Sequence, residues 1–102
     1  MLQQLRIYKI EEGKFDEFLP VWLANIPGLR QAAGWKIQAW AVREESELVW
    51  ILSRDCTLEE WEEKEKEYYS SQARLALNPD PRTYLVGREH KWLEPLSLPT
   101  SA

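Results

Sequence analysis

One histidine and one cysteine leave this chain few groups that exchange a proton near neutral pH, so the residues able to do chemistry are quickly named. His90 is the histidine, and in an extended segment it shares a face with Arg88 and Trp92. There it could transfer a proton or ligate a haem iron, or it could be a half-buried strand histidine satisfied by one hydrogen bond. Arg6 and Tyr8 share one side of an alternating segment near the N-terminus. They could present a cation and a hydroxyl to an anionic or carbonyl-bearing ligand. The alternative is an interior salt bridge from Arg6, to Glu89 or Glu65. Trp40, Trp50 and Trp92 could wall an aromatic pocket, or serve as core and interface packing. Cys56 precedes a helix start, where a thiol pKa can fall, but no nucleophile motif or nearby histidine accompanies it. With one His, one Cys and no carboxylates at ligand spacing beside them, no metal site is expected. Glycine-rich phosphate loops and serine elbows are absent too, so no cofactor is expected.

The elements that must position these residues follow from periodicity. Leu2 to Ile10 alternates with two usable faces: Leu5, Ile7 and Lys9 on one, Arg6, Tyr8 and Ile10 on the other. A turn at Glu11-Glu12-Gly13 leads into a helical stripe of Phe15, Phe18, Leu19, Trp22, Ile26 and Leu29. Pro20 and Pro27 inside that stripe predict a kink, or a second short helix beginning near Pro27, and Gly34 is the natural stop. Trp35–Val42 and Leu48–Ser53 read as a hairpin around the polar Arg43–Glu47 loop. Thr57-Leu58-Glu59-Glu60 is a capping box opening a second helix, with Leu58, Trp61, Tyr68 and Leu75 on its inner face. The charged run Glu62, Glu63, Lys64, Lys66 and Glu67 is its solvated side. Asn78-Pro79-Asp80-Pro81 ends that helix, and a last strand covers roughly Tyr84 to Leu93.

This β-α-β-β-α-β order predicts an α+β, ferredoxin-like domain, a four-stranded antiparallel sheet with both helices on one face. The first helix stripe calls for Leu5 and Ile7 beneath it, which would turn Arg6 and Tyr8 to the opposite face. That uncovered face would be aromatic, and a second copy of the chain is the economical cover.

Composition narrows the partners. The chain has 102 residues, enough for one domain, taken as residues 1–96 with 97–102 as a loosely ordered tail. Six tryptophans are more than so small a core readily holds, so some must line a cavity or an interface. A net charge of −4 with scattered basic residues argues against nucleic acid and anionic lipid. No apolar run has the length of a signal peptide or a membrane span, and the lone cysteine excludes an internal disulfide. A cytoplasmic, soluble protein is expected.

Several short motifs occur in order: Leu5-Arg6-Ile7-Tyr8, then Gly13-Lys14-Phe15-Asp16-Glu17-Phe18, the strand of Trp40, and the closing Trp92-Leu93-Glu94-Pro95-Leu96. Together they resemble the NIPSNAP-like branch of the dimeric α/β-barrel superfamily, over about Leu5 to Leu96. The resemblance implies a homodimer whose sheets pack face to face into a barrel, with a cleft in each half. The wider superfamily includes cofactor-independent monooxygenases, haem-degrading enzymes and proteins without an assigned reaction. The expectation is therefore a homodimer binding a small aromatic or anionic molecule, with Arg6, Tyr8, Trp40, Trp50, His90 and Trp92 as site residues. The alternative is a monooxygenase or isomerase acting on an aromatic or quinol-like substrate.

Overall fold

The computed structural model describes residues 1–100. Strands β1 (Leu2–Ile10), β2 (Lys36–Val42), β3 (Glu47–Arg54) and β4 (Leu85–Leu93) form one sheet in the order β2-β3-β1-β4. Every neighbouring pair is antiparallel. Helices α1 (Phe15–Ala32) and α2 (Leu58–Ser70) lie against one face, and the short α3 (Gln72–Leu75) and a 3-10 turn (Pro81–Tyr84) lead into β4. This is the ferredoxin-like α+β arrangement. The tail beyond Leu93 has no helix or strand as far as Thr100, and Ser101 and Ala102 lie outside the described residues.

Helix α1 is a correction to the expected break: it runs unbroken through both prolines. Its buried positions are Phe15, Phe18, Trp22, Ile26 and Arg30, while Pro20 is exposed and Pro27 half-buried. The backbone bonds that the prolines cannot make are thus lost on the watered side, where the freed carbonyls find solvent. The stop at Gly34 follows from its backbone. With φ +93° it occupies the left-handed region, and its N–H donates to the Gln31 carbonyl while that of Trp35 reaches Arg30. Any side chain there would also press on the Arg54 guanidinium, 3.0 Å from where a Cβ would stand.

Helix α2 opens on the expected capping box: the Glu60 N–H donates to Thr57 Oγ1 and the Thr57 N–H to Glu60 Oε1. Its inner face is narrower than expected, because Leu58 and Leu75 are 51% and 66% exposed. Ser71 ends α2 and starts α3, which takes Leu75 off the stripe. Trp61, Glu65 and Tyr68 are the inward positions instead, and Glu65 puts a carboxylate over the sheet.

Sheet register decides what lies beneath. Gln4, Arg6, Tyr8 and Ile10 are all buried, and the first three stand opposite Leu52, Trp50 and Leu48 of β3. Opposed residues of an antiparallel pair share a face, so Arg6 and Tyr8 lie under the helices with Trp50. This reverses the expectation that Leu5 and Ile7 would serve the helix stripe. The core is Ile10, Leu48, Trp50 and Leu52 packed on Phe18, Trp22 and Trp61, and α2 supplies a counter-charge that makes a buried Arg6 tolerable there. Leu5 and Ile7 instead face outward beside Ile51 and Val49, and Trp40 stands opposite Val49 on that same uncovered face.

Candidate functional site

The space between sheet and helices holds two charge clusters built alike. In the first, Glu65 of α2 accepts from Arg6 Nη2 of β1 at 3.0 Å and from Arg30 Nη1 of α1. Arg6 Nε also donates to Gln4 Oε1 at 2.8 Å. The Tyr69 hydroxyl accepts from Arg6 Nη1 at 3.4 Å and Arg30 Nη2 at 3.2 Å. The Arg30 guanidinium lies 3.8 Å from the centre of the Tyr68 ring, and that of Arg6 5.5 Å from Trp50. In the second cluster, Asp80 accepts from Arg74 Nη2 and Arg82 Nη2, each at 3.0 Å.

These charges tune one another. Burial works against the Glu65 carboxylate, but Arg30 and Arg6 outweigh it and hold its pKa below the ordinary range. For Asp80, burial is likewise overcome by hydrogen bonds from Arg82 and Arg74, and its pKa falls to about 2. Burial, and after it the neighbouring Tyr69, pushes the Tyr8 phenol up. Burial also raises Tyr68, against the pull of Arg30 and Arg74.

Both carboxylates thus have lower pKa values folded than unfolded, and the unfolded chain takes up more protons as the pH falls. The stability they contribute is complete above their ordinary values of 4.5 and 3.8 and is lost as the pH falls through the lowered folded values, about 2 in the case of Asp80. Denaturant titrations from pH 6 downward are expected to show this loss, mostly below roughly pH 5. In Asp80→Asn the part falling between 3.8 and about 2 should be missing.

Beside the clusters lies a cavity of about 20 Å³. Its walls are the rings of Tyr8, Trp22, Trp50, Tyr68 and Tyr69, with Arg30, Arg74 and Arg82 among them. Trp22 and Trp50 meet edge to face at 5.3 Å, and Tyr8 meets Trp50 at 5.5 Å. The lining is buried on most sides and open by Arg82, whose side chain is 43% exposed.

The residues singled out from sequence fall into three places. Tyr8 and Trp50 line the cavity. Arg6, His90 and Trp92 line an open groove with Gln4, Trp61 and Glu65. Trp40 is on the opposite face of the sheet, so Trp40, Trp50 and Trp92 do not form one wall. Trp92 turns to the helix side and packs edge to face on Trp61 at 5.0 Å. Arg6 and His90 are cross-strand neighbours. Burial, and then the Arg6 charge, lowers the His90 pKa, which favours its neutral form. Of the two partners considered for Arg6, Glu65 is the one it meets, while Glu89 is on the outward face with Lys91. Burial pushes the Cys56 thiol pKa up, the wrong direction for a nucleophile. Among the described residues, no three His, Cys, Asp or Glu side chains stand together as a metal site would need.

Arg30, Tyr68, Tyr69, Arg74, Asp80 and Arg82 were not singled out from sequence as site residues. Two signals were available. Arg30 continues the Phe18-Trp22-Ile26 stripe at helical spacing, and Glu65 sits between Trp61 and Tyr68 on the stripe of α2. A charge on an apolar stripe needs a buried partner, and these two are partners.

By architecture the chain is a ferredoxin-like α+β domain with a cavity between sheet and helices. Among solved structures it is similar to an uncharacterized NIPSNAP domain protein from Burkholderia xenovorans, at 20% identity and TM-score 0.82, covering 99% of this chain and 100% of that one. A NIPSNAP family protein from Agrobacterium tumefaciens matches at 18% identity and TM-score 0.77, over 93% and 92% of the two chains. An antibiotic biosynthesis monooxygenase matches at 10% identity and TM-score 0.66, over 95% and 100%. The fold is therefore the NIPSNAP-like one that the sequence motifs suggested. No protein-family model matches the sequence, and no curated protein does. No helix among the described residues is long and apolar enough to cross a membrane.

Proposed function

We propose that the chain is a homodimeric binding protein that takes a small, flat, aromatic or anionic molecule with one end seated in the cavity between sheet and helices. The observation that carries this reading is the convergence there of five aromatic rings and three guanidiniums from β1, β3, α1, α2, α3 and the turn before β4. Binding sites of this kind combine apolar walls with a few placed polar groups. The uncovered face of Leu5, Ile7, Trp40, Val49 and Ile51 supports pairing with a second copy, sheet against sheet. A cytoplasmic location is part of the reading, supported by the single free thiol of Cys56. Monooxygenase or isomerase chemistry at the cavity would have to move protons through its phenols, Tyr8 and Tyr68, which burial holds in the protonated form, because the one histidine lines the groove instead.

The test is a thermal-shift screen of small aromatic acids, phenols and amides. Compounds that occupy the cavity should raise the melting temperature in proportion to the logarithm of their concentration once it exceeds Kd. They should also quench the fluorescence of Trp22 and Trp50. A screen without one such compound would sink the reading.

A further inference from the structure

We infer that the group the cavity is built to hold is an anionic oxygen pair, the carboxylate of a small aromatic acid. This deepens the binding reading above and rests on it. Among the described residues, five buried side-chain polar atoms have no protein partner: Trp22 Nε1, Trp50 Nε1, Arg30 Nε, Arg74 Nε and the Tyr68 hydroxyl. Their residues are 1%, 1%, 0%, 3% and 5% exposed, and all five line this one cavity. Four of the five are N–H groups, which can only donate.

The lining offers these donors only phenol oxygens as side-chain acceptors. It contains no carboxylate and no amide, and its one well-engaged phenol, Tyr69, already accepts from Arg6 and Arg30. An occupant that satisfies these donors must therefore be rich in acceptors.

Charge points the same way. Arg6 and Arg30 share Glu65, and Arg74 and Arg82 share Asp80, so four guanidiniums face two carboxylates. The surplus is two positive charges beside a largely buried space, which favours an anion over a neutral acceptor. A cavity of about 20 Å³ admits a group little larger than one water, which suits a carboxylate head. The ring of the acid then extends towards the open side, where Pro81 and Leu85 give apolar contact beside Arg82.

Benzoate and its neutral near-isostere benzamide separate the possibilities. In calorimetric titrations of the full chain at pH 7, benzoate is expected to bind at least tenfold more tightly than benzamide. Trp50→Phe and Trp22→Phe each keep a ring and delete one N–H. Each should weaken benzoate several-fold and benzamide by less, since a neutral carbonyl gains less from each donor than a carboxylate does, with the melting temperature of the free variant confirming that it folds. Equal affinity for the two probes would overturn the carboxylate assignment while leaving the aromatic cavity as a binding site. If neither binds, the donors are serving water alone and both readings fail. Benzoate affinity unchanged in both variants would place the anion away from these indoles and overturn the inference.

Discussion

Glu65→Ala is expected to lose about 3–5 kcal/mol of folding stability, the size of effect seen when one partner is removed from a buried ion network. The substitution does little to the helix itself, since alanine is the best helix former. Its effect is to strand two guanidiniums, Arg6 and Arg30, whose side chains are 2% and 1% exposed. The Tyr69 hydroxyl and Gln4 would remain as their hydrogen-bond partners, and neither carries a negative charge. Denaturant unfolding should show a lower midpoint with an unchanged slope. A loss below about 1 kcal/mol would mean that water reaches the guanidiniums and that the cluster is a surface pair in effect. Replacing Arg6, Glu65 and Arg30 together by apolar residues of similar size should recover most of the loss, because the cost lies in the uncompensated charge.

The second large effect concerns the uncovered face. Ile51 lies on β3, paired on both sides, opposite Leu5 of β1 and Gln38 of β2. A carboxylate placed there by Ile51→Asp would have to be buried in any sheet-to-sheet dimer, at a cost of several kcal/mol. The dimer dissociation constant should rise by roughly a hundredfold or more. Light scattering at micromolar concentration is expected to give a dimer for the natural sequence and a monomer for the variant. A natural chain that is monomeric there would remove the pairing from the proposal. An Ile51→Asp dimer as tight as the original would move the contact off this face. Trp92 lies on the other side of the sheet, half-buried against Trp61 in the groove with Arg6 and His90.

Where the governing interactions were local, they could be read in advance. The bounds of β1, the hairpin of β2 and β3, the Thr57 capping box and the stop at Gly34 depend on neighbours a few residues away. The face of β1 does not. Leu5 and Ile7 on one side and Tyr8 and Ile10 on the other are evenly matched in apolar character. What settles the matter is Glu65, 59 residues from Arg6, which makes a buried guanidinium tolerable under the helices. The same holds for the cavity. Arg74, Asp80 and Arg82 lie in a stretch whose Pro-Asp-Pro pattern reads only as a chain reversal. Their roles arise from where α3 and the following turn bring them, against Tyr69.

The two prolines of α1 have a mechanical consequence. They are seven residues apart, roughly two turns, so the missing backbone bonds, to the carbonyls of Asp16 and Leu23, lie one above the other on a single stripe. Asp16, Pro20 and Leu23 on that stripe are exposed. A rod with its ties cut along one side bends most easily with that side outermost, which is the sense in which surface helices curve around a core. For α1 this softness has a use, because the sheet below it is twisted and a straight cylinder would touch it well only near its middle. Phe15 in the first turn and Arg30 in the last are both buried, 7% and 0% exposed. The same residues that look like helix breakers in the sequence give α1 the compliance to follow the sheet from end to end.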